Sequence, residues 1–167
     1  MSAENVALVM STRIGPDVDL SSLAGDASAS TQVLDGIRNA FDPSFQCTMR
    51  FPGLAPVIYT GGVEGLGAAW RDWLKHWASY RIESEEVIDR GEQVVVVHTA
   101  YARSRPGTPE TALRRATVWT VRDSRIVHVD FNVPYSEVLD QVAVGAKTEE
   151  QQRRAQLGAG RSASRHG

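Results

Sequence analysis

ATVWTVRDSRIVHVDFNV, the stretch from Ala116 to Val133, decides the fold. Two runs of alternating polar and apolar residues, rich in β-branched side chains, flank Asp123-Ser124. Alternation on both sides of so short a connection predicts an antiparallel hairpin. With Asp123 and Ser124 as its two loop residues, Arg122 pairs with Arg125, Val118 faces Val129 and Ala116 faces Phe131. One face of the hairpin then carries Ala116, Val118, Thr120, Val127, Val129, Phe131 and Val133. The other carries Arg115, Thr117, Trp119, His128, Asp130 and Asn132. The apolar face is expected to be concave and covered by helices. The polar face is expected to be convex, meeting water or a second copy of the chain.

Working outward, residues 81–89 and 92–103 read as two further strands, and short connections join all four into an antiparallel meander. Phe45, Cys47, Met49 and Phe51 alternate with polar neighbours and predict a strand, and Val57 to Tyr59 a short extended piece. A helix is expected over residues 63–80, where Trp70, Trp73 and Trp77 fall on one face near Leu66 and Leu74. Helices are expected upstream over 5–13 and from a Ser30 or Thr31 cap to Phe41, with another turn or two of helix over 19–23 and a loop over 25–30. Residues 136–143 read as a short closing helix. The Gln-, Arg-, Gly- and Ser-rich stretch from Lys147 onward reads as a flexible tail, so the expected domain is 1–146 with a tail over 147–167. Helices first and a curled antiparallel sheet afterwards indicate an α+β class.

Composition narrows the functional classes. The chain has 167 residues, 42% of them hydrophobic and 23% charged, which suits one ordinary globular domain. A net charge of −2 provides no global field for nucleic acid or anionic lipid. No apolar run is long enough to span a bilayer, and the first residues lack the pattern of a signal peptide. Cys47 is the one cysteine, so an internal disulfide cannot form and a cytoplasmic location is the expectation. Cys47, His76, His98, His128 and His166 show no metal-ligand spacing, and Gly61, Gly62 and Gly65 are wrongly placed for a phosphate loop. No metal and no cofactor is expected.

The segments 62–66, 70–73 (Trp-Arg-Asp-Trp), 86–91 and 116–127 occur in an order and spacing that resembles the SnoaL-like family of the NTF2-like superfamily, over residues 41–139. The resemblance implies a cone-shaped α+β barrel around one apolar pocket. It does not single out a reaction, since the superfamily contains isomerases, cyclases, epoxide hydrolases, dehydratases and non-catalytic binders. This chain departs from the family at Ser124, where glycine is common, and in a longer segment between Arg13 and Phe41. Polyketide cyclases of similar sequence place a His and an Asp where this chain has Val129 and Phe131. Ketosteroid isomerases place an acid near Ala116 and a base near residues 49–52. None of these positions here carries such a group.

The expected pocket lining is Phe51, Tyr59, Trp70, Trp73, Trp77, Val118, Val129 and Phe131. Candidate catalytic groups come from the strand over 92–103. One register points His98 inward and the other points Thr99 and Tyr101 inward. His could act as a base, and Tyr could donate a hydrogen bond to a substrate oxygen. The expected function is binding of a small apolar molecule, polyketide- or terpenoid-like, by an isomerase, cyclase or hydrolase. A non-catalytic binder or a dimeric interaction domain of the same fold is the alternative. The large Trp119 ring on the convex face predicts a homodimer through that face.

Overall fold

The computed structural model describes residues 2–162. Asp123 and Ser124 adopt left-handed backbone (φ 48° and 59°), as a tight two-residue hairpin requires. Arg122 pairs with Arg125 as expected. This hairpin joins β5 (Thr111–Arg122) to β6 (Arg125–Pro134). Before it come β1 (Phe41–Met49), β2 (Val57–Tyr59), β3 (Ser79–Arg90) and β4 (Gln93–Arg103). They form one curved, open sheet in the order β2-β1-β6-β5-β4-β3. The last four strands are the expected meander. Strand β1 lies parallel to β6, and every other neighbouring pair is antiparallel. Helices α1 (Ser2–Ser11), α2 (Leu20–Gly25), α3 (Ala27–Ile37) and α4 (Val63–Leu74) complete this unit, which ends at Pro134. The chain is α+β, as its sequence predicts.

The hairpin pairing slips twice beyond its first two rungs. Val121 pairs with Ile126 but Thr120 with His128, so Val127 has no rung of its own. Val118 pairs with Asp130 but Ala116 with Val133, so Phe131 and Asn132 together oppose Thr117. Asn132 takes the left-handed conformation (φ 59°) that such a bulge accommodates. Each extra residue exchanges the faces of one strand relative to the other. The expected pairs Val118–Val129 and Ala116–Phe131 are therefore corrected: Trp119 faces Val129, and Val118 faces Asp130. Val129 and Phe131 join the core as expected, whereas Ala116 and Val133 lie outside that cluster.

Four further boundaries differ from expectation. Asp26 caps α3, its side chain accepting from the Ser28 and Ala29 amides, so residues expected as loop are helical. Phe41 begins β1 instead of ending a helix. Helix α4 stops at Leu74, because the Ala78 amide donates to the Arg103 carbonyl (2.7 Å) and Ser79 then enters the ladder with β4. After Pro134, α5 runs as one helix from Tyr135 to Ser162, well past the expected end near residue 143. Residues 147–162 of the expected tail are thus helical, and 163–167 lie outside the described residues.

Helix α4 packs tightly onto the chain before it at Gly65. A Cβ on Gly65 would lie 2.5 Å from the Thr60 carbonyl oxygen, a backbone atom that cannot swing aside. Gly36, inside α3, has open space around it. Gly65→Ala should therefore lower stability by about 2 kcal/mol. Gly36→Ala should raise it by roughly 0.5–1 kcal/mol. Urea unfolding of the two variants beside the parent chain measures both changes.

Candidate functional site

Between the helices and the concave side of the sheet lies a cavity of about 170 Å³. Its walls are mostly carbon. Leu20, Leu34, Leu66, Trp70 and Leu74 come from the helices, and Phe41, Ile82, Val96, Trp119 and Phe131 from the strands. Trp70 and Phe131 meet edge to face at 5.2 Å, and Phe131 and Trp119 at 6.1 Å. The Trp119 indole Nε1 is buried without a hydrogen-bond partner among the described residues, so ring contacts hold it there.

Polar groups enter from four strands and the helix ends. Ser84 of β3 pairs with His98 of β4, and Thr117 of β5 lies against Val96. All three polar residues line the cavity, as does Asn132 at the second bulge. Asn132 Nδ2 donates to Met49 Sδ (3.2 Å) and to the Arg50 carbonyl (3.4 Å). Thr12 and Arg13 follow α1, and Arg71 projects from α4. The covering helix α2 is tied to the sheet by Asp19. Its Oδ1 accepts from the Ser21 amide and hydroxyl and from the Tyr80 amide at the start of β3 (3.0 Å). Burial works against the Asp19 charge, but these hydrogen bonds prevail and hold its pKa below the ordinary value.

The observed register settles which face of β4 is inward. His98 is 4% exposed and lines the cavity. Thr99 and Tyr101 point the other way. Thr99 donates to Glu85, and the Arg81 guanidinium stacks over the Tyr101 ring at 4.0 Å. Burial pushes the His98 pKa down from 6.5 to about 4, and a hydrogen bond with the Val96 backbone and then the nearby Glu85 charge oppose this only in part. Arg115 and Arg13 add to the depression. The imidazole is therefore neutral near pH 7, able to donate from one ring nitrogen and accept at the other.

Of the expected lining, Trp70 and Phe131 border the cavity. Trp73 and Trp77 instead pack on each other (5.7 Å) and on Tyr80, with Phe51 against Trp73 (5.8 Å). Val129 is buried in the core and does not line the cavity, and Val118 lies on the opposite face. Tyr59 is held by Asp72, to which its hydroxyl donates at 2.7 Å, and burial with that bond pushes its pKa up to about 12. Cys47 is likewise raised to about 12 by burial, which keeps it a thiol. Trp119, Thr117 and Asn132 were expected on the convex face and border the cavity instead, because of the β6 bulges. Arg13 and Arg71 carry no sequence signal that separates them from other surface arginines. Among the described residues no group of His, Cys, Asp and Glu could hold a metal ion, and no helix is long and apolar enough to cross a membrane.

The profile of the SnoaL-like domain matches residues 26–129. An NTF2-like protein of unknown function from Burkholderia pseudomallei K96243 superposes with a TM-score of 0.56. It has 19% identity, with 82% of this chain and 95% of that one covered. TerC, crystallised with polyporic acid, gives 0.56 at 15% identity, covering 83% and 96%. A protein from Jannaschia sp. CCS1 named as a candidate SnoaL-like polyketide cyclase gives 0.55 at 16% identity, covering 77% and 84%. At these identities the likeness establishes the fold. No curated protein sequence matches significantly.

The depressed His98 pKa has a consequence for stability. Below pH 6.5 the unfolded chain takes up a proton at this residue that the folded chain refuses. Stability from His98 is therefore complete above pH 6.5 and is lost as pH falls toward 4. The loss is on the order of 3 kcal/mol. His98→Gln should remove this part of the acid slope. Urea unfolding of parent and variant across that window should show the difference shrinking as pH falls; parallel curves would refute a neutral buried imidazole.

Proposed function

Because this chain belongs to the SnoaL-like domain family of NTF2-like proteins, we propose that it binds a small apolar molecule in the cone. The observation that carries this reading is the open, carbon-walled cavity with the neutral His98 buried in it. A filled cone serving only as a dimerisation domain would leave no such space. An engineered cavity of about 150 Å³ accepts a benzene ring, so the space here suits one or two rings of a larger polyketide- or terpenoid-like compound.

Isomerase, cyclase or hydrolase chemistry in this cavity would run through His98. A neutral imidazole beside Ser84 and Thr117 can take a proton from a ligand carbon or water, or donate a hydrogen bond to a carbonyl oxygen. Its low pKa makes it a weak proton acceptor, better suited to polarising an oxygen. Tyr101 faces away from the cavity and has no part in this proposal. A second reading, binding without turnover, is favoured by one observation: among the described residues no carboxylate lines the cavity. A homodimer on the outer sheet face is no longer needed to cover Trp119, which now lies inward.

Ligand binding should raise the unfolding temperature. At a hundredfold excess over Kd the gain is about 2.7 kcal/mol. A thermal-shift screen of polyketide- and terpenoid-like ring compounds, followed by product analysis of the hits, separates the readings. Turnover that falls at least about tenfold in His98→Gln, with binding retained, supports catalysis. Retained ligand with no product supports the binder. No shift with any ring compound would contradict both.

A further inference from the structure

Charge is unevenly distributed around the cavity. The chain has 20 acidic and 18 basic residues, yet the described lining contains two arginines, Arg13 and Arg71, and no Asp or Glu. Both arginines are exposed, so they stand at the mouth, while His98 is buried deeper. Several guanidinium groups elsewhere are neutralised by neighbours, whereas Arg103, Arg115 and Arg125 donate to backbone carbonyls. Arg38 pairs with Glu64 (2.6 Å) and Asp35 (3.0 Å), Arg50 with Asp130 (2.9 Å), and Arg81 with Glu83 (2.8 Å).

The two mouth arginines differ. The Arg71 guanidinium makes no hydrogen bond or ion pair within the described residues. The adjacent Asp72 is engaged by the Tyr59 hydroxyl (2.7 Å) and by Lys75 Nζ (3.5 Å). Among the described residues the Arg13 guanidinium donates to the neutral sulfur of Met10 (3.7 Å), and only its backbone amide reaches an oxygen, the Met10 carbonyl (3.3 Å). Gly67 contributes to the placement of Arg71: a Cβ there would come within 3.3 Å of its Nη1 and 2.8 Å of Leu34 Cδ1. The absence of a side chain at Gly67 leaves the guanidinium room at the cavity edge. A planar guanidinium matches the two oxygens of a carboxylate, and one with no internal partner has that capacity unspent.

We propose that the cavity takes an apolar acid, with a body of one or two rings inside the cone and its carboxylate at the mouth, held by Arg13 and Arg71. This deepens the small-molecule reading above and rests on it. Orientation follows from it: the end of the ligand remote from the acid group lies toward His98 and the Trp70, Phe131 and Trp119 rings. Reaction or recognition at His98 would then occur on the apolar body and not on the acid group.

The test is calorimetric titration of the full chain with naphthoate and with its uncharged methyl ester, at about pH 7 where the acid is ionised. The ester shares the ring body and lacks the charge. The acid should bind at least about tenfold more tightly, and added salt should weaken the acid but not the ester. Arg13→Gln with Arg71→Gln should erase the preference, lowering the acid's affinity at least about tenfold to the level of the ester's. Arg105→Gln, which removes one positive charge from the turn between β4 and β5, should keep the preference. Equal binding of acid and ester, or a preference that survives the double substitution, overturns the acid proposal while small-molecule binding stands. If neither naphthalene compound binds, the cavity reading falls with it. The salt arm needs only the unaltered chain, so it decides the matter even if the double variant does not fold.

Discussion

An unpaired residue in β6, Val127, determines which side chains line the cone. Strand geometry alternates with a strict period of two, so one added residue exchanges faces for everything beyond it. From Thr120 toward the start of β5, the bulge turns Trp119 and Thr117 toward the helices and sends Val118 outward against Asp130. Phe131 lies inward beside Trp119 by alternation from Val129, and the second irregularity, at Phe131 and Asn132, lets Asn132 reach back to β1. Without the first bulge the cavity would lose an aromatic wall. With it, Phe131 is flanked by Trp70 from the helix side and Trp119 from the sheet side.

The resulting space is divided by chemistry along its depth. Its interior is carbon, with a few hydroxyls and one imidazole that burial keeps uncharged. Its mouth carries two guanidinium groups that have no carboxylate partner among the described residues. Charges at a water-exposed rim avoid the desolvation penalty that an arginine inside the cone would carry. The covering helix α2 is fixed over this space by Asp19, which ties the helix start to the Tyr80 amide, so the roof and the first inward residue of β3 are set together.

Much of this was legible beforehand. The Asp123-Ser124 loop, the four-strand meander, Trp70 on the pocket wall and the inward Phe131 all follow from alternation and helical spacing. So does the choice between His98 and Tyr101 as a question of register, which the pairing of Ser84 with His98 resolves. The rest depended on tertiary context. A bulge leaves the local alternation of polar and apolar residues intact, so Val127 looks like any other strand residue. Helix α4 continues by propensity through Trp77, and only the Ala78 amide meeting the Arg103 carbonyl ends it. Asp26 was hidden as a cap because it sits among small polar residues that equally describe a loop. Arg13 and Arg71 lie far apart in sequence and gain meaning only when folding brings them to one mouth.

The inward turn of Trp119 is the feature on which the cavity depends, and cross-strand nuclear Overhauser effects report it directly. The bulged register places Trp119 opposite Val129 and brings its indole protons near the Phe131 ring, whose centroid lies 6.1 Å away. Contacts from the Trp119 backbone to Val129 and from its indole to Phe131 are the expected result. Contacts placing Val118 opposite Val129, with the Trp119 indole free of Phe131, would contradict the structure of the site.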